Sequence, residues 1–348
     1  MKAALWLVAA LGMLLMGNPG IAHAADAQPR VFKLAVVTPK STDTETLYYY
    51  LPVLKGWTKA ANIDFQAVAM SPTAAYPALA AGQIDGLIYS GSAALAGARG
   101  APMVSVYYYT ETADWPLVAA PKLKDPASMK GARCGSSSGP KAGPDIACRM
   151  IIKALGGDPA SLVLVNVPGG ALDLLEAFRR NVIDMTVAMQ PPVSYQADRE
   201  GFHTIANTRT DFPILGNGLT VNRNRIKDPA YRALVVDVIR GFDRASAYMR
   251  DPANKQELIG ILRESMNDPK SISDQDFATA LTESETYQTR TGILKNPASV
   301  WTLLNGGVSL GFFDMSEFKV DPTKVDPIAA GVYDPSLAEE AAKAEAAK

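Results

Sequence analysis

The pattern that most constrains the fold is an alternation of short strand-like and helix-like segments that runs through the chain twice. In the first series, the β-branched apolar segment Val31–Val37 predicts a buried strand, and Leu47–Ala61 predicts a helix. Further strands are predicted in "IDFQAVAM", "IDGLIYSG" and "APMVSVYYYTE", with helices in "TAAYPALAAGQ" and "AALAGARG" between them. Such alternation is typical of an α/β sheet covered by helices on its faces.

The alternation starts again after Pro116 and occupies about 100 residues, which is enough for a small domain. Strands are predicted in "LVAAP", "ARCGS", "LVLVNV", "VIDMTVAM" and "FHTIANT", with helices in "PDIACRMIIKALG", "GALDLLEAFRRN" and "PPVSYQADREG". From Asp228 the pattern is helical, and we expect these helices to return and cover the first unit. The predicted fold class is α/β, with two units joined by chain crossings near Thr110–Pro116 and Ile214–Val221.

These crossings divide the chain into two predicted lobes with a hinge between them. Lobe 1 is expected to comprise residues 31–112 and 218–330, lobe 2 residues 113–217, and a tail residues 331–348. The tail sequence "LAEEAAKAEAAK" is charged and Ala-rich and shows no apolar face. It therefore predicts a frayed helix or a disordered segment.

The N-terminal residues have the layout of a secretory signal peptide. Lys2 precedes an apolar segment from Ala3 to Met16, and the triplet Ala22-His23-Ala24 fits an A-x-A cleavage site. The apolar segment is shorter than the roughly 20 residues that a membrane-spanning helix requires. We therefore expect residues 1–24 to be removed and the mature protein to be exported and soluble.

Composition argues against several classes of function. The formal net charge of the 348 residues is −1 and no long basic segment occurs, so nothing predicts binding to nucleic acid or to an anionic membrane. After cleavage His203 is the remaining histidine, which argues against a catalytic triad and a His-rich metal site. Two cysteines cannot form a four-ligand zinc site. Cys134 and Cys148 are either a disulfide pair or two small buried apolar residues.

Several segments carry a family resemblance when they are taken in order: "YPALAAGQIDGLIYSG", "GARGAPM", "LKDPASMKGARCGSSSG", "ALGGDPASLVLVNVPGGALDLLEAFRRNVIDMTVAMQPPVSYQADREGF" and "DPAYRALVVDVIRGFDRASAYMRDP". Over most of Val31–Met266 the chain resembles the periplasmic solute-binding proteins of the nitrate/sulfonate/taurine class of ABC importers, and it is similar to bacterial homologues of the thiamine-pyrimidine synthesis proteins. The synthase branch carries a Cys-rich iron-binding segment and an active-site His. Here the corresponding loop is Gly135–Gly139, without a Cys cluster or a nearby His, so the synthase activity is not expected.

The resemblance implies a bilobal periplasmic-binding-protein fold of type II and no chemical step. The implied ligand is a small molecule between the lobes, and the implied partner is an ABC permease in the inner membrane. The implied protein is a periplasmic monomer without a cofactor. We predict that it captures a small organic solute that is sulfonate, pyrimidine-like or aromatic. An enzyme on the same fold and a ligand-sensing partner of a membrane receptor are the alternatives.

The loop "GSSSGPKAG" lies between a predicted strand and a predicted helix start. Backbone N–H groups at a helix start, with the added hydroxyls, suit an anionic or strongly accepting ligand group. An ordinary helix-capping loop is the alternative. The expected ligand-binding residues are Ser136, Ser137, Ser138 and Gly139 in this loop, together with Thr38, Lys40, Ser41, Thr42, Tyr89, Ser90, Gly91, Tyr109, Glu111 and Gln190 at other strand ends and at a crossing.

Tyrosines are concentrated in two triplets, Tyr48–Tyr50 and Tyr107–Tyr109. Consecutive side chains on a helix or strand face different ways, so one or two of each triplet at most can reach a ligand. Tyrosines at the cleft would favour a ligand with a flat or apolar body.

Overall fold

The structure is a computed structural model of the chain, and it describes residues 28–37, 41–264 and 272–346. The predicted signal peptide and the candidate residues Thr38 and Lys40 lie outside the described residues. Within the described ranges, no helix is both long enough and apolar enough to cross a membrane.

Strands and helices alternate along most of the described residues. The strands are β1 (Arg30–Val36), β2 (Ile63–Ala69), β3 (Gly86–Leu87), β4 (Met103–Tyr108), β5 (Pro116–Ala119), β6 (Arg133–Ser136), β7 (Val163–Asn166), β8 (Met185–Thr186), β9 (His203–Asn207) and β10 (Gly218–Asn222). The α-helices are α1 (Leu47–Leu54), α2 (Trp57–Ala60), α3 (Pro72–Ala80), α4 (Ser90–Ala98), α5 (Gly143–Ala154), α6 (Ala171–Arg179), α7 (Val193–Arg199), α8 (Pro229–Arg250), α9 (Lys255–Arg263), α10 (Asp274–Ser284), α11 (Thr302–Ser309) and α12 (Ser336–Ala346).

The strands form two five-stranded sheets with the same topology. The first sheet has the order β2-β1-β3-β10-β4 and the second the order β7-β6-β8-β5-β9. In each sheet the first three strands are parallel, and the fourth strand is antiparallel to both of its neighbours. That fourth strand, β10 or β5, is the one that arrives from the other sheet. The predicted α/β fold class with two lobes is confirmed, and we call the unit around the first sheet lobe 1 and the other lobe 2.

The strand β10 is absent from the sequence-based prediction, which placed Ile214–Val221 in a crossing. All five residues of β10 are buried, and it lies between β3 and β4. Its place is set by pairing with strands more than 100 residues away in the sequence, which a local pattern does not report. One chain crossing follows β4 and leads to β5, and the other follows β9 and leads to β10. Their backbones are hydrogen-bonded, since Tyr109 N donates to Asn217 O at 2.9 Å and Ala113 N to Ile214 O at 2.8 Å.

Some predicted elements have different bounds. The single helix expected over Leu47–Ala61 is two helices, because Gly56 between them adopts a left-handed conformation with φ +68°. The helix α4 begins at Ser90, within the segment expected to be a strand end.

The helices after Asp228 do not cover lobe 1 alone. The helix α11 packs against α4 of lobe 1 and also against α5 of lobe 2.

The core of lobe 1 contains a group of buried rings that we call the aromatic cluster: Tyr48, Tyr107, Tyr109 and Phe242. Tyr48 stacks on Tyr109 with ring centroids 4.5 Å apart. The ring of Phe242, on α8, meets those of Tyr107 and Tyr109 edge-on at 5.7 and 5.5 Å. The cluster therefore joins the long helix α8 to α1 and to the end of β4.

The tail is a packed helix, so the prediction that it has no apolar face is wrong. On α12, the side chains of Leu337, Ala338 and Ala341 are fully buried, and the helix lies against α8. Glu345 pairs with Arg244 of α8 at 2.9 Å. Alanines at helical spacing form a narrow apolar face that fits a close contact between two helices. The overall composition of the tail, which is charged and Ala-rich, does not show this face.

Cys134 of β6 and Cys148 of α5 are both buried, and the structure pairs them as a disulfide. The 13 residues between them run from the strand, through the Ser-rich loop, into the helix that covers the same sheet. Of the two alternatives from the sequence, the structure favours the bonded pair. We treat the bond as a prediction with its own test.

Reduction of this disulfide is expected to lower the free energy of unfolding by roughly 2 kcal/mol, because the unfolded chain loses the constraint on a short loop. Melting temperatures with and without dithiothreitol would measure the effect. The matched control is the double variant Cys134→Ala/Cys148→Ala, whose melting temperature should not respond to the reductant. Two thiols labelled by alkylation of the unfolded, unreduced protein would contradict the bond.

Candidate functional site

A cleft lies between the two lobes, beyond the carboxyl ends of the parallel strands of both sheets. Its walls include residues that directly follow β1, β3, β6 and β8. The cavity volume is about 130 Å³, several times the volume that one water molecule needs. Open α/β sheets bind ligands at this edge, so the cleft is the candidate functional site.

Eight of the residues predicted from the sequence line the cleft: Ser41, Thr42, Tyr89, Gly91, Tyr109, Ser137, Ser138 and Gln190. They come from both lobes and follow five strands, namely β1, β3, β4, β6 and β8. Each tyrosine triplet contributes one ring to the wall, Tyr49 and Tyr109, whereas Tyr48, Tyr107 and Tyr108 lie in the core. The contact of these residues with a ligand stays a prediction.

Two other predicted residues have partners away from the cleft. Ser90 is fully buried at the start of α4, and its Oγ accepts a hydrogen bond from Thr220 Oγ1 at 3.2 Å. The carboxylate of Glu111 accepts a hydrogen bond from Lys295 N at 3.1 Å, at the crossing. Both positions follow a strand, and their side chains form hydrogen bonds within lobe 1 and at the hinge. The contact of either residue with a ligand stays a prediction.

The Ser-rich loop divides between packing and the cleft. Ser137 and Ser138 line the cleft, whereas Ser136 is fully buried and its Oγ accepts a hydrogen bond from Ser138 N at 3.2 Å. Gly139 has φ +78° and makes the turn that follows, outside the cleft wall. Ser136 and Gly139 therefore support the conformation of the loop and lie outside the cleft wall, and their contact with a ligand stays a prediction.

The start of α5 does not offer the anion site expected there. Pro144 in the first turn has no N–H, and the carboxylate of Asp145 accepts a hydrogen bond from Lys141 N at 2.8 Å. Asp145 is 2% exposed and pairs with Arg149 at 2.7 Å. The chain thus places its own negative charge at the positive end of the helix, where a ligand anion was expected.

The sequence-based prediction missed two acidic residues, Asp43 and Glu45, in the cleft wall. In the sequence they belong to "STDTET", a segment rich in Ser, Thr and Asp, which commonly cap the start of a helix. Asp43 does cap, because its carboxylate accepts from Glu45 N at 3.0 Å. The Glu45 carboxylate is buried and accepts from Asn217 Nδ2 at 2.7 Å and Thr110 Oγ1 at 3.3 Å. Both donors lie at the chain crossings.

The surroundings of this pair shift both carboxyl groups towards their uncharged forms. Burial raises the pKa of Glu45 to about 8, and the charge of Asp43 adds to the shift. Burial also raises the pKa of Asp43 to about 6, although the hydrogen bond from Glu45 N opposes it. A third carboxylate, Asp114, has its own cation, Arg209, at 3.5 Å.

Further wall residues were not singled out from the sequence. The loop before α6 contributes Gly169 and Gly170, and the crossings contribute Trp115 and Asn217. A glycine pair between a strand and a helix is the one local signal that could have indicated a close approach to a ligand. Leu303 of α11 completes the wall from the helical part of the chain.

His203 lies away from the cleft. It is on β9, and its Nε2 is 3.1 Å from Leu123 O within lobe 2. Across the described ranges, no group of three or more His, Cys, Asp and Glu side chains is placed to hold a metal ion. The chemical features of the cleft are therefore two carboxyl groups, hydroxyls, amides and aromatic rings.

The profile of the family described as NMT1/THI5 like matches residues 43–254, more than half of the chain. The chain belongs to the NMT1/THI5-like family. The matched range includes both crossings, all of lobe 2 and the acidic pair. No curated protein matches the chain.

Solved structures share the bilobal arrangement that we find in this member of the NMT1/THI5-like family. A protein of Bordetella bronchiseptica RB50 superposes with a TM-score of 0.72 at 18% identity, covering 92% of this chain and 99% of its own. The periplasmic nitrate-binding protein NrtA of Synechocystis PCC 6803 gives 0.68 at 15%, covering 91% and 89%. The alkanesulfonate-binding protein SsuA of Xanthomonas axonopodis pv. citri, bound to MOPS, gives 0.64 at 12%, covering 89% and 99%. These likenesses confirm the periplasmic-binding-protein fold.

Proposed function

We propose that the protein is the periplasmic solute-binding component of an ABC-type importer, which captures a small organic solute and delivers it to a membrane permease. The observation that carries the proposal is a cleft whose walls come from both lobes, next to two hydrogen-bonded crossings. In such an arrangement, closure about the crossings encloses a ligand. The fold shared with nitrate- and sulfonate-binding proteins supports the same role.

The cleft supports binding better than catalysis. Its wall, in the described part of the chain, carries neither His nor Cys, the side chains that most often serve as a general base or a thiol nucleophile. Purified protein that converted a bound solute would favour the alternative of an enzyme on this fold. Recovery of a membrane receptor in place of a permease in a pull-down would favour the sensing alternative.

Blocking the cleft tests the proposal. Ala171 lines the cleft from lobe 2 at the start of α6, so Ala171→Trp is expected to reduce solute retention at least tenfold by filling the cavity. The measurement is mass spectrometry of small molecules released from protein that was incubated with a bacterial metabolite extract and repurified. The matched control is Ala160→Trp, at an exposed position of the same lobe, with unchanged retention. Equal retention by Ala171→Trp would show that the cleft is not the binding site.

A further inference from the structure

The chemistry of the cleft wall indicates which group of the solute it holds. We propose that the cleft binds an organic cation through an ammonium or amidinium nitrogen, held by Asp43 and Glu45, with the Tyr109 hydroxyl as a third partner. This inference rests on the proposed function, because it assigns a ligand class to the same cleft.

The first argument is the balance of charge in the wall. Among the described wall residues are two carboxyl groups and neither Lys nor Arg. Arg209, the cation next to this region, pairs with Asp114 at 3.5 Å and with Glu283 at 3.0 Å. A buried carboxylate without a cation is unfavourable, and a positively charged ligand group would remove that cost.

The second argument is the hydrogen-bonding capacity that the pair retains. The Glu45 carboxylate accepts one bond at each oxygen, from Asn217 and from Thr110. A carboxylate offers about four lone-pair sites, so each oxygen can accept another donor. An ammonium or amidinium group supplies N–H donors and positive charge together, and such charge-assisted bonds are stronger than neutral ones.

The third argument is independent of the acidic pair. Tyr109 lines the cleft, its side chain is 0% exposed, and its hydroxyl has no hydrogen-bond partner among the described residues. Tyr49 and Glu45 line the same cleft, and their charges add to the burial that raises the pKa of this phenol. Buried polar groups without partners are rare and costly. A ligand N–H between Glu45 and Tyr109 would satisfy this oxygen.

The cleft suits an organic cation better than a metal ion. Within the described ranges, no group of three or more His, Cys, Asp and Glu side chains is placed to hold a metal ion. Aromatic and apolar side chains complete the wall, namely Tyr49, Tyr89, Trp115, Ile88 and Leu303. These rings would contact the body of the solute and attract its positive charge.

The test uses sets of small solutes that share one body and differ in head group: an amine or amidine, an alcohol or amide, and a carboxylate or sulfonate. Benzylammonium, benzyl alcohol and benzylsulfonate form one such set. Melting-temperature shifts screen the sets, and calorimetry measures the dissociation constants of the solutes that bind. We expect the amine or amidine members to bind and the other members of the same sets not to bind.

Glu45→Gln is expected to weaken cation binding about 30-fold or more, since it removes the charge and leaves the shape. The matched control is Glu285→Gln, at an exposed position of lobe 1, with unchanged affinity. Tyr109→Phe is expected to weaken binding about tenfold without loss of stability, because the lost hydroxyl has no partner in the empty cleft. Its matched control is Tyr108→Phe, which also removes a buried unpartnered hydroxyl but faces Tyr333 in the core.

The outcomes separate this inference from the proposed function. Binding of carboxylate, sulfonate or neutral members alone would overturn the cationic ligand and leave the solute-binding function standing. Cation binding that is unaffected by both Glu45→Gln and Tyr109→Phe would overturn the assigned site. Binding of no solute set, together with no retention from a metabolite extract, would overturn both proposals.

Discussion

Phe242→Ala is expected to lower the free energy of unfolding by about 4 kcal/mol, the largest effect that we predict for a single substitution. Phe242 is fully buried on α8, and its ring contacts those of Tyr107 and Tyr109. Truncation removes an aromatic side chain from the centre of the aromatic cluster and leaves a cavity that the rigid sheet end cannot fill. Urea denaturation followed by circular dichroism would measure the change.

The same substitution should also weaken solute binding, because Tyr109 loses its edge-on neighbour. The milder variant Phe242→Leu, which retains most of the volume, is expected to cost less than half as much. The control is Phe312→Ala: Phe312 is half-buried on the helical part of the chain and contacts Arg149. A similar loss of stability in both alanine variants would show that the aromatic cluster has no special role.

The stability of the empty protein is expected to fall by roughly 3 kcal/mol between pH 5 and pH 8, and Glu45→Gln should remove most of this dependence. Burial raises the pKa of Glu45 from 4.5 to about 8. The folded protein therefore holds a proton that the unfolded chain has released in this range. The native state binds more protons than the unfolded state, so unfolding becomes easier as the pH rises through the folded pKa.

Several titratable groups face Glu45 and must be considered in this experiment: Asp43, Asp114, Tyr48, Tyr49, Tyr109 and Tyr287. Asp43, with a pKa raised to about 6, contributes in the same direction at lower pH. The measurement is the free energy of unfolding in urea at half-unit pH steps. Glu285→Gln should retain the wild-type slope, and a Glu45→Gln variant with an unchanged slope would contradict the assignment.

Ligand affinity should respond to pH in the opposite direction if the solute is a cation. Below pH 8 the empty cleft holds protonated Glu45, and the cation binds the ionised form, so a proton must leave on binding. The apparent affinity should therefore rise between pH 6 and pH 8. Calorimetry in buffers of different ionisation enthalpy would count the released proton, and a binding reaction without proton release at pH 7 would contradict the coupling.

Local patterns in the sequence were enough to predict both lobes. The strand over Val31–Val37 and the helices after it repeat a period that is visible within 10 to 20 residues, and each has a counterpart in the structure. The strand β10 was missed because it is only five residues long and pairs with strands in a distant part of the chain. The tail was predicted as a frayed helix or a disordered segment, and the packing of α12 was missed because its buried face is made mostly of alanine.

The candidate site was predictable in position but not in chemical character. Strand ends such as Tyr89 and Ser137 were expected at the cleft because parallel strands present their ends at one edge. Asp43 lies in a segment of common helix-cap residues and does cap, but it also lines the cleft with Glu45, so the cap pattern hid the acidic character of the wall. The missing partner of the Tyr109 hydroxyl depends on what surrounds it in three dimensions, and no pattern of residues could have shown it.

The exchange of strands between the sheets has a consequence for the order in which the two lobes can form. Lobe 2 takes all five of its strands from residues 116–207, so its sheet is complete once that continuous segment is available. The sheet of lobe 1 lacks the strand between β3 and β4 until residue 222 has emerged from the ribosome or from an export channel. When the chain emerges from its N-terminus, the sheet of lobe 2 can therefore be completed while the sheet of lobe 1 still lacks one strand.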